Sequence, residues 1–180
     1  EAIGCKNFFE IGTGRGTSSY AVSLLPHVKK IVTVDIIPHN QKQSTAINFR
    51  PADVSNKDIY EMISFKEKEK INFQHINMPV DYQFILENYN SFFDIAFIDG
   101  CHEDYNIIMN DFKIVLQVIK NGGWIIWDDY DPNKFEVKNV INHIFKKYKF
   151  KCELIEFRGH LFGTSPPEKQ AGEVIMRVIK

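Results

Sequence analysis

The chain has little cysteine, and that scarcity removes several classes of function. Its three cysteines are Cys5, Cys101 and Cys152. No Cys-x-x-Cys pair occurs and the count is odd. Both facts argue against a disulfide framework or a zinc knuckle, and for a reducing, cytoplasmic setting. An excess of one charge is also missing: 22 Lys and Arg stand against 23 Asp and Glu, a net of −1. The basic residues are dispersed, which runs against a nucleic-acid partner. No apolar run approaches the ~18–20 residues of a membrane span, and no signal peptide opens the chain, so no membrane partner is expected. Position 1 is Glu rather than Met, only a few residues before the first apolar run, so a trimmed fragment is one reading.

What is present is a core. Of 180 residues, 44% are hydrophobic and 13% aromatic, enough for one globular domain over 1–180. Apolar runs at Phe8–Ile11, Ile31–Ile37, Ile71–Ile76, Phe93–Ile98, Trp124–Trp127, Cys152–Phe157 and Val174–Ile179 read as strands. Their continuity predicts a parallel sheet covered on both faces. Helical patterns fall between them, at Thr17–Leu25, Tyr105–Ile119 and Phe135–Tyr148, with a more charged helix at Asp58–Lys70. Ser and Thr near position 17 are candidate caps. Asn121-Gly122-Gly123 reads as the stop of the second of these helices. The alternation predicts a Rossmann-like, doubly wound α/β fold. Arg158–Gly172 holds two glycines and two prolines between its ends and reads as a loop. The last strand is therefore expected to return antiparallel beside its predecessor, giving a mostly parallel sheet of seven strands. Pro38–Val54 has no clear period.

Residues 8–16, FFEIGTGRG, carry the first chemical signal. A buried strand ends in Glu10, and Gly12, Gly14 and Gly16 follow at alternate positions before a helix. Glycine permits unusual backbone angles and lets a ligand approach the main chain. A dinucleotide fingerprint would be G-x-G-x-x-G, and this spacing is G-x-G-x-G. Asp35 ends the second strand, where a carboxylate can accept hydrogen bonds from both hydroxyls of a ribose. A turn or helix cap is its other reading. Asn77 and Met78, at the exit of the third strand, are the candidates for a base pocket.

A second signal is acidic. Asp99 ends the fourth strand in FIDGCHEDY, and Asp128 and Asp129 end the fifth in IIWDDYD. In a doubly wound sheet, ligands bind outside the carboxyl ends of the strands, so both acidic turns project toward the crevice of the glycine loop. Three converging carboxylates repel one another unless a cation neutralises them, and oxygen ligands suit Mg²⁺, with Mn²⁺ and Ca²⁺ as alternatives. Asp-Gly and Asp-Asp-Tyr-Asp-Pro are also ordinary turn sequences. His102 can serve as a base near neutral pH, or simply as a loop or capping histidine. Cys101 reads as a small buried residue, and Trp124 and Trp127 read as core. His160, in the late loop, is the other histidine able to reach a site.

The ordered set resembles the class I S-adenosylmethionine-dependent methyltransferases, and within them the metal-dependent sugar and small-molecule O-methyltransferases and the group carrying a DGxH element. The glycine stretch resembles their motif I. The resemblance implies S-adenosylmethionine held by Glu10, Gly12, Thr13, Gly14, Gly16 and Asp35, with Asp99 beside it. It implies a divalent cation on Asp99, Asp128 and Asp129 that lowers the pKa of a substrate hydroxyl. In the sugar enzymes the element is Asp-Gly-Asp and its second Asp is the base; here Cys101 stands there and His102 follows. The implied partner is a small-molecule acceptor. Two other readings stand beside this one: an NAD-dependent oxidoreductase, opposed by the glycine spacing and by the lack of a Tyr-x-x-x-Lys element, and a non-catalytic cofactor-binding domain without the helices that usually precede strand one. Self-association stays open.

Overall fold

The computed structural model describes residues 4–42, 53–76, 82–130, 135–148, 154–158 and 172–180. In chain order the elements are β1 (Asn7–Ile11), α1 (Thr17–Ser23), β2 (Lys30–Asp35), α2 (Asn56–Met62), a 3₁₀ turn (Lys66–Lys70), β3 (Ile71–His75), α3 (Tyr82–Tyr89), β4 (Phe93–Ile98), α4 (Tyr105–Val118), β5 (Ile119–Trp127), α5 (Val137–Lys147), β6 (Leu154–Arg158) and β7 (Gly172–Arg177). The seven strands form one sheet in the order β3-β2-β1-β4-β5-β7-β6. For β6 only the backbone is described. Strands β1 to β5 pair in parallel, and β7 runs antiparallel to both β5 and β6. The mostly parallel sheet with an antiparallel last strand is therefore as expected. No helix among the described residues is long and apolar enough to cross a membrane.

This order fixes where a ligand can bind. The chain winds outward from β1 through β2 to β3, then crosses back to β4 and winds the other way. The loops after β1 and β4 diverge at that reversal, which leaves a crevice at the carboxyl ends of these two neighbours. The glycine loop follows β1, and the Asp99 turn follows β4.

The core lies mainly on one face, where α3, α4 and α5 pack. Phe9 and Phe93 stack there at 5.0 Å, and Phe112 stacks on Trp127 at 6.0 Å. A smaller cluster on the opposite face joins Phe8, Val28, Ile31 and Phe97 to residues of α1. Coverage of both faces holds only for part of the sheet. On β5 and β7, buried residues alternate with half-buried Trp124, Ile126 and Ile175. Trp124 is thus not a core residue, and Arg177 lies over its ring at 5.5 Å.

Several boundaries differ from the sequence pattern for local reasons. The segment read as one helix, Asp58–Lys70, is two pieces. Ser55 caps α2 through a reciprocal box with Asp58, and Ile63 is already extended. The Lys68 ammonium then donates to the carbonyls of Tyr60 and Ile63, which closes the helix end. Helix α1 starts not on a Ser or Thr cap but on Gly16 in the left-handed region. Gly122-Gly123 does not stop α4, which already ends at Val118. The pair lies inside β5, where Gly122 donates to the Val178 carbonyl and Val178 to the Gly123 carbonyl. A Cβ on Gly123 would come within 3.1 Å of the Asp94 carbonyl oxygen, so this irregular stretch needs glycine. Helix α3 was not read from the sequence, although Tyr82, Ile85, Leu86 and Tyr89 have helical spacing. Cys152, His160 and Asp131-Pro132 lie outside the described residues.

Phe93→Ala should cost about 3–5 kcal/mol of unfolding free energy, because the stacked pair leaves a cavity that the sheet cannot close. Urea titration of the two proteins measures it.

Candidate functional site

The three glycines of the β1–α1 loop each answer a different constraint. Gly12 has φ 94°, and its amide donates to the Val34 carbonyl at 2.9 Å. A Cβ there would lie 2.0 Å from the Asp99 carbonyl oxygen, so the glycine loop and the β4 turn touch through bare backbone. The Asp99 amide closes the contact by donating to the Ile11 carbonyl at 2.8 Å. Gly14 has φ 50°, and nothing lies within 4 Å of its Cβ position. Its amide donates to Asp35 Oδ2 at 3.0 Å. Gly16 opens α1 at φ 77°, and its amide donates to the Thr13 carbonyl at 2.6 Å.

Glu10 lies beneath this loop and is 1% exposed. Its Oε2 accepts from Ser19 Oγ and from Thr33 Oγ1, both at 2.6 Å. The single Thr33 hydroxyl proton is committed to Glu10, so Thr13, at 2.7 Å, donates to Thr33. The carboxylate thereby ties β1, β2, α1 and the loop together. Burial pushes its pKa up to about 7, against the opposing hydroxyl donors. Glu10 and Thr13 were both expected to bind the cofactor; the structure places their side chains in the loop's buried support.

Asp35 sits at the loop mouth as its position on β2 requires. Oδ1 accepts from the Ile37 amide at 2.9 Å, which turns the chain and ends the strand two residues short of the expected Ile37. Ile36, next to it, is 64% exposed, an unusual state for isoleucine beside a crevice. Asn77 and Met78 lie outside the described residues.

The acidic turns converge on His102. Its Nε2 stands 3.6 Å from Asp99 Oδ1 and 3.3 Å from Asp129 Oδ2. The ligand atoms of Asp99, His102 and Asp129 all lie within 4.8 Å of one another. Asp129 reaches this position by adopting φ 55°, a left-handed conformation that costs a non-glycine residue about 1 kcal/mol. The His102 loop is fixed from behind, because its carbonyl accepts from the Glu136 amide at 2.9 Å and its ring packs 5.5 Å from Phe135.

Asp128 is placed differently from its neighbour. Its Oδ1 accepts from the Asp129 amide at 2.8 Å, and its carboxyl stands close enough to that of Asp99 for the two charges to repel. Burial first, and the Asp128 charge second, raise the Asp99 pKa to about 8. A divalent cation fits this donor set, since clustered carboxylates repel one another and are stabilised by positive charge. Glu173 is a residue the sequence pattern missed. It lies on β7 one place beyond the Trp127–Val174 pair, and burial and the nearby Asp128 raise its pKa. No local motif marks it, because only strand pairing brings it to the site.

A family model described as a methyltransferase domain matches residues 9–130. The uncharacterised protein R132 of Acanthamoeba polyphaga mimivirus is 25% identical over 154 residues, covering 79% of this chain and 64% of that protein. The chain thus spans just under two thirds of this curated relative. Among solved structures, an O-methyltransferase from Bacillus cereus in complex with SAH (S-adenosylhomocysteine) superposes with a TM-score of 0.61 at 17% identity, covering 98% of this chain and 76% of that one. The N-methyltransferase NodS from Bradyrhizobium japonicum gives 0.59 at 17%, covering 98% and 87%. These two likenesses concern the fold.

Gly12→Ala should destabilise the protein far more than Gly14→Ala. The first drives a methyl into the Asp99 backbone, whereas the second meets only the left-handed φ penalty of about 1 kcal/mol; thermal melts of both variants test the order. Glu10 yields a pH prediction. Its folded pKa of about 7 exceeds the ordinary glutamate value of 4.5, so the folded state holds the extra proton between them. Its contribution to stability therefore falls as pH rises from about 4.5 to 7 and levels off above. Glu10→Gln should remove a decline on the order of 2–3 kcal/mol from urea-unfolding curves taken across that range.

Proposed function

The chain belongs to the methyltransferase-domain family, and on that premise we propose that it transfers the methyl group of S-adenosylmethionine to a hydroxyl oxygen of a small molecule, with a divalent cation assisting. The observation that carries this reading is the backbone contact between Gly12 and Asp99. It sets a cofactor-type glycine loop directly against a carboxylate and histidine cluster.

The residues divide the work by position. Gly14 leaves open space beside the main chain, so a ligand can approach the loop closely. Asp35 faces that loop with a carboxylate whose remaining lone pairs can accept from ribose hydroxyls. The exposed Ile36 side chain offers an apolar surface next to it. The acidic cluster, on the β4 and β5 side of the crevice, is where the acceptor oxygen would stand. Methyl transfer is an in-line displacement: the acceptor oxygen bonds to the methyl carbon as the carbon–sulfur bond breaks, and S-adenosylhomocysteine leaves. The hydroxyl proton departs into the cluster. Holding donor and acceptor in line supplies most of the rate. A cation held by the cluster would supply Lewis-acid lowering of the hydroxyl pKa. His102 has two roles open to it there, base or ligand.

The choice of oxygen rests on the cluster rather than on fold, since the similar structures include both an O- and an N-methyltransferase. The choice of a small acceptor rests on the balanced charge of the chain.

Calorimetry with S-adenosylhomocysteine should show one site, weakened roughly 30-fold or more in Asp35→Ala, a loss of ~2 kcal/mol. Labelled methyl transfer onto a panel of hydroxylated small molecules should then require a divalent cation and stop with EDTA. Binding of NAD without S-adenosylhomocysteine would overturn the cofactor, and EDTA-insensitive transfer would overturn the cation.

A further inference from the structure

Three side chains at the acidic end of the crevice are arranged as ligands, and they are not the three that strand ends alone suggest. Asp99 Oδ1 and Asp129 Oδ2 both approach His102 Nε2, at 3.6 and 3.3 Å. Neighbouring donors around a cation with bonds of about 2.1 Å stand roughly 3.0–3.5 Å apart, so these separations are close to those of a ligand shell. The third donor pair also falls within 4.8 Å. Asp128 faces other tasks. Its Oδ1 is taken by the Asp129 backbone amide, and its carboxyl lies beside that of Asp99 outside the cluster that Asp99 forms with His102 and Asp129. Outer carboxyls of this kind orient metal ligands and tune their basicity.

We propose that His102, and not Asp128, completes the ligand set with Asp99 and Asp129, and that the site takes a first-row transition ion such as Mn²⁺ in preference to Mg²⁺. This rests on the reading that a divalent cation sits at this end of the sheet. The preference follows from the donors. Mg²⁺ favours an all-oxygen shell and keeps its water, whereas one imidazole with two carboxylates suits Mn²⁺, Fe²⁺ or Zn²⁺. The His102 ring is already oriented by Phe135, and its backbone by the Glu136 amide, so little is lost in aiming the nitrogen. A histidine committed to the ion no longer serves as the base, so the acceptor proton must leave through the carboxylates instead.

Mn²⁺ binding to the full chain, read by electron paramagnetic resonance, tests the assignment without any acceptor. The wild type should bind Mn²⁺ at least about tenfold more tightly than Mg²⁺ in competition. Its pulsed spectrum should carry a ¹⁴N coupling from imidazole. His102→Ala and the bulkier His102→Gln should both lose that coupling and weaken Mn²⁺ at least about tenfold, with thermal melts showing that they fold. Asp128→Asn should keep the coupling while weakening Mn²⁺ by about tenfold or more, as loss of an outer carboxyl does. Absence of the coupling in the wild type would overturn the assignment, as would its persistence in His102→Ala, its loss in a folded Asp128→Asn, or Mg²⁺ preferred over Mn²⁺. S-adenosylhomocysteine titrated into the same samples separates the two levels. Its binding without Mn²⁺ uptake would sink the ion site alone, whereas a folded chain binding neither would sink the functional reading as well.

Discussion

The closest constraint in the molecule is the contact between Gly12 and the Asp99 peptide. Two parallel strands, β1 and β4, run side by side, and the loops leaving them must diverge within one residue. The Asp99 amide holds the Ile11 carbonyl, so the backbones meet with no space for a side chain on Gly12. Everything that follows β1 is then directed to one side of the crevice, and everything that follows β4 to the other. A glycine loop and an acidic turn far apart in sequence become two walls of one site. Behind the second wall, Gly100 is packed between Ile11 and the buried carboxylate of Asp111, which accepts from the Tyr82 hydroxyl at 3.1 Å. Helices α3 and α4 thereby support the same turn.

The site and its support gather acids, Glu10 and Asp111 buried and Asp99 half-buried. Glu10, Asp99 and Asp111 all have raised pKa values, and burial is the largest cause in each. Their solutions differ. Glu10 is surrounded by hydroxyl donors and acts as an internal tie. Asp111 has a tyrosine. Asp99 has another carboxyl beside it, whose charge repels its own, and a histidine 3.6 Å from its Oδ1. Of the three, it is the one whose environment is most improved by added positive charge. That imbalance, rather than the number of acids, distinguishes the catalytic candidate from the structural ones.

Much of the architecture was legible because strand and helix periods are local. The apolar runs around Phe8, Ile31, Ile71, Phe93 and Ile125 each became a strand, and the glycine spacing marked the loop that follows the first. Where the reading slipped, a contact outside the strand or helix period had the deciding role. Gly122-Gly123 has the local form of a helix stop, yet pairing with Val178 draws it into β5. Lys68 breaks a run that is locally helical by reaching back to two carbonyls. Helix α3 was a different kind of miss, since its spacing was present and the flanking segment obscured it.

The candidate site divides in the same way. The sequence alone determined which residue types end the strands: Gly12, Gly14 and Gly16 after β1, Asp35 after β2, Asp99 after β4, and Asp128 and Asp129 after β5. In a parallel sheet all of these must point to one edge, because every strand runs in the same direction. Only the tertiary structure decided what each side chain does there. It sent Glu10 beneath the loop and set the Asp128 carboxyl beside that of Asp99. It turned Asp129 through a left-handed backbone toward His102, and brought Glu173 in from an antiparallel strand. These assignments depend on which strands pair and on how the loops between them turn, and local residue periods carry no information about either.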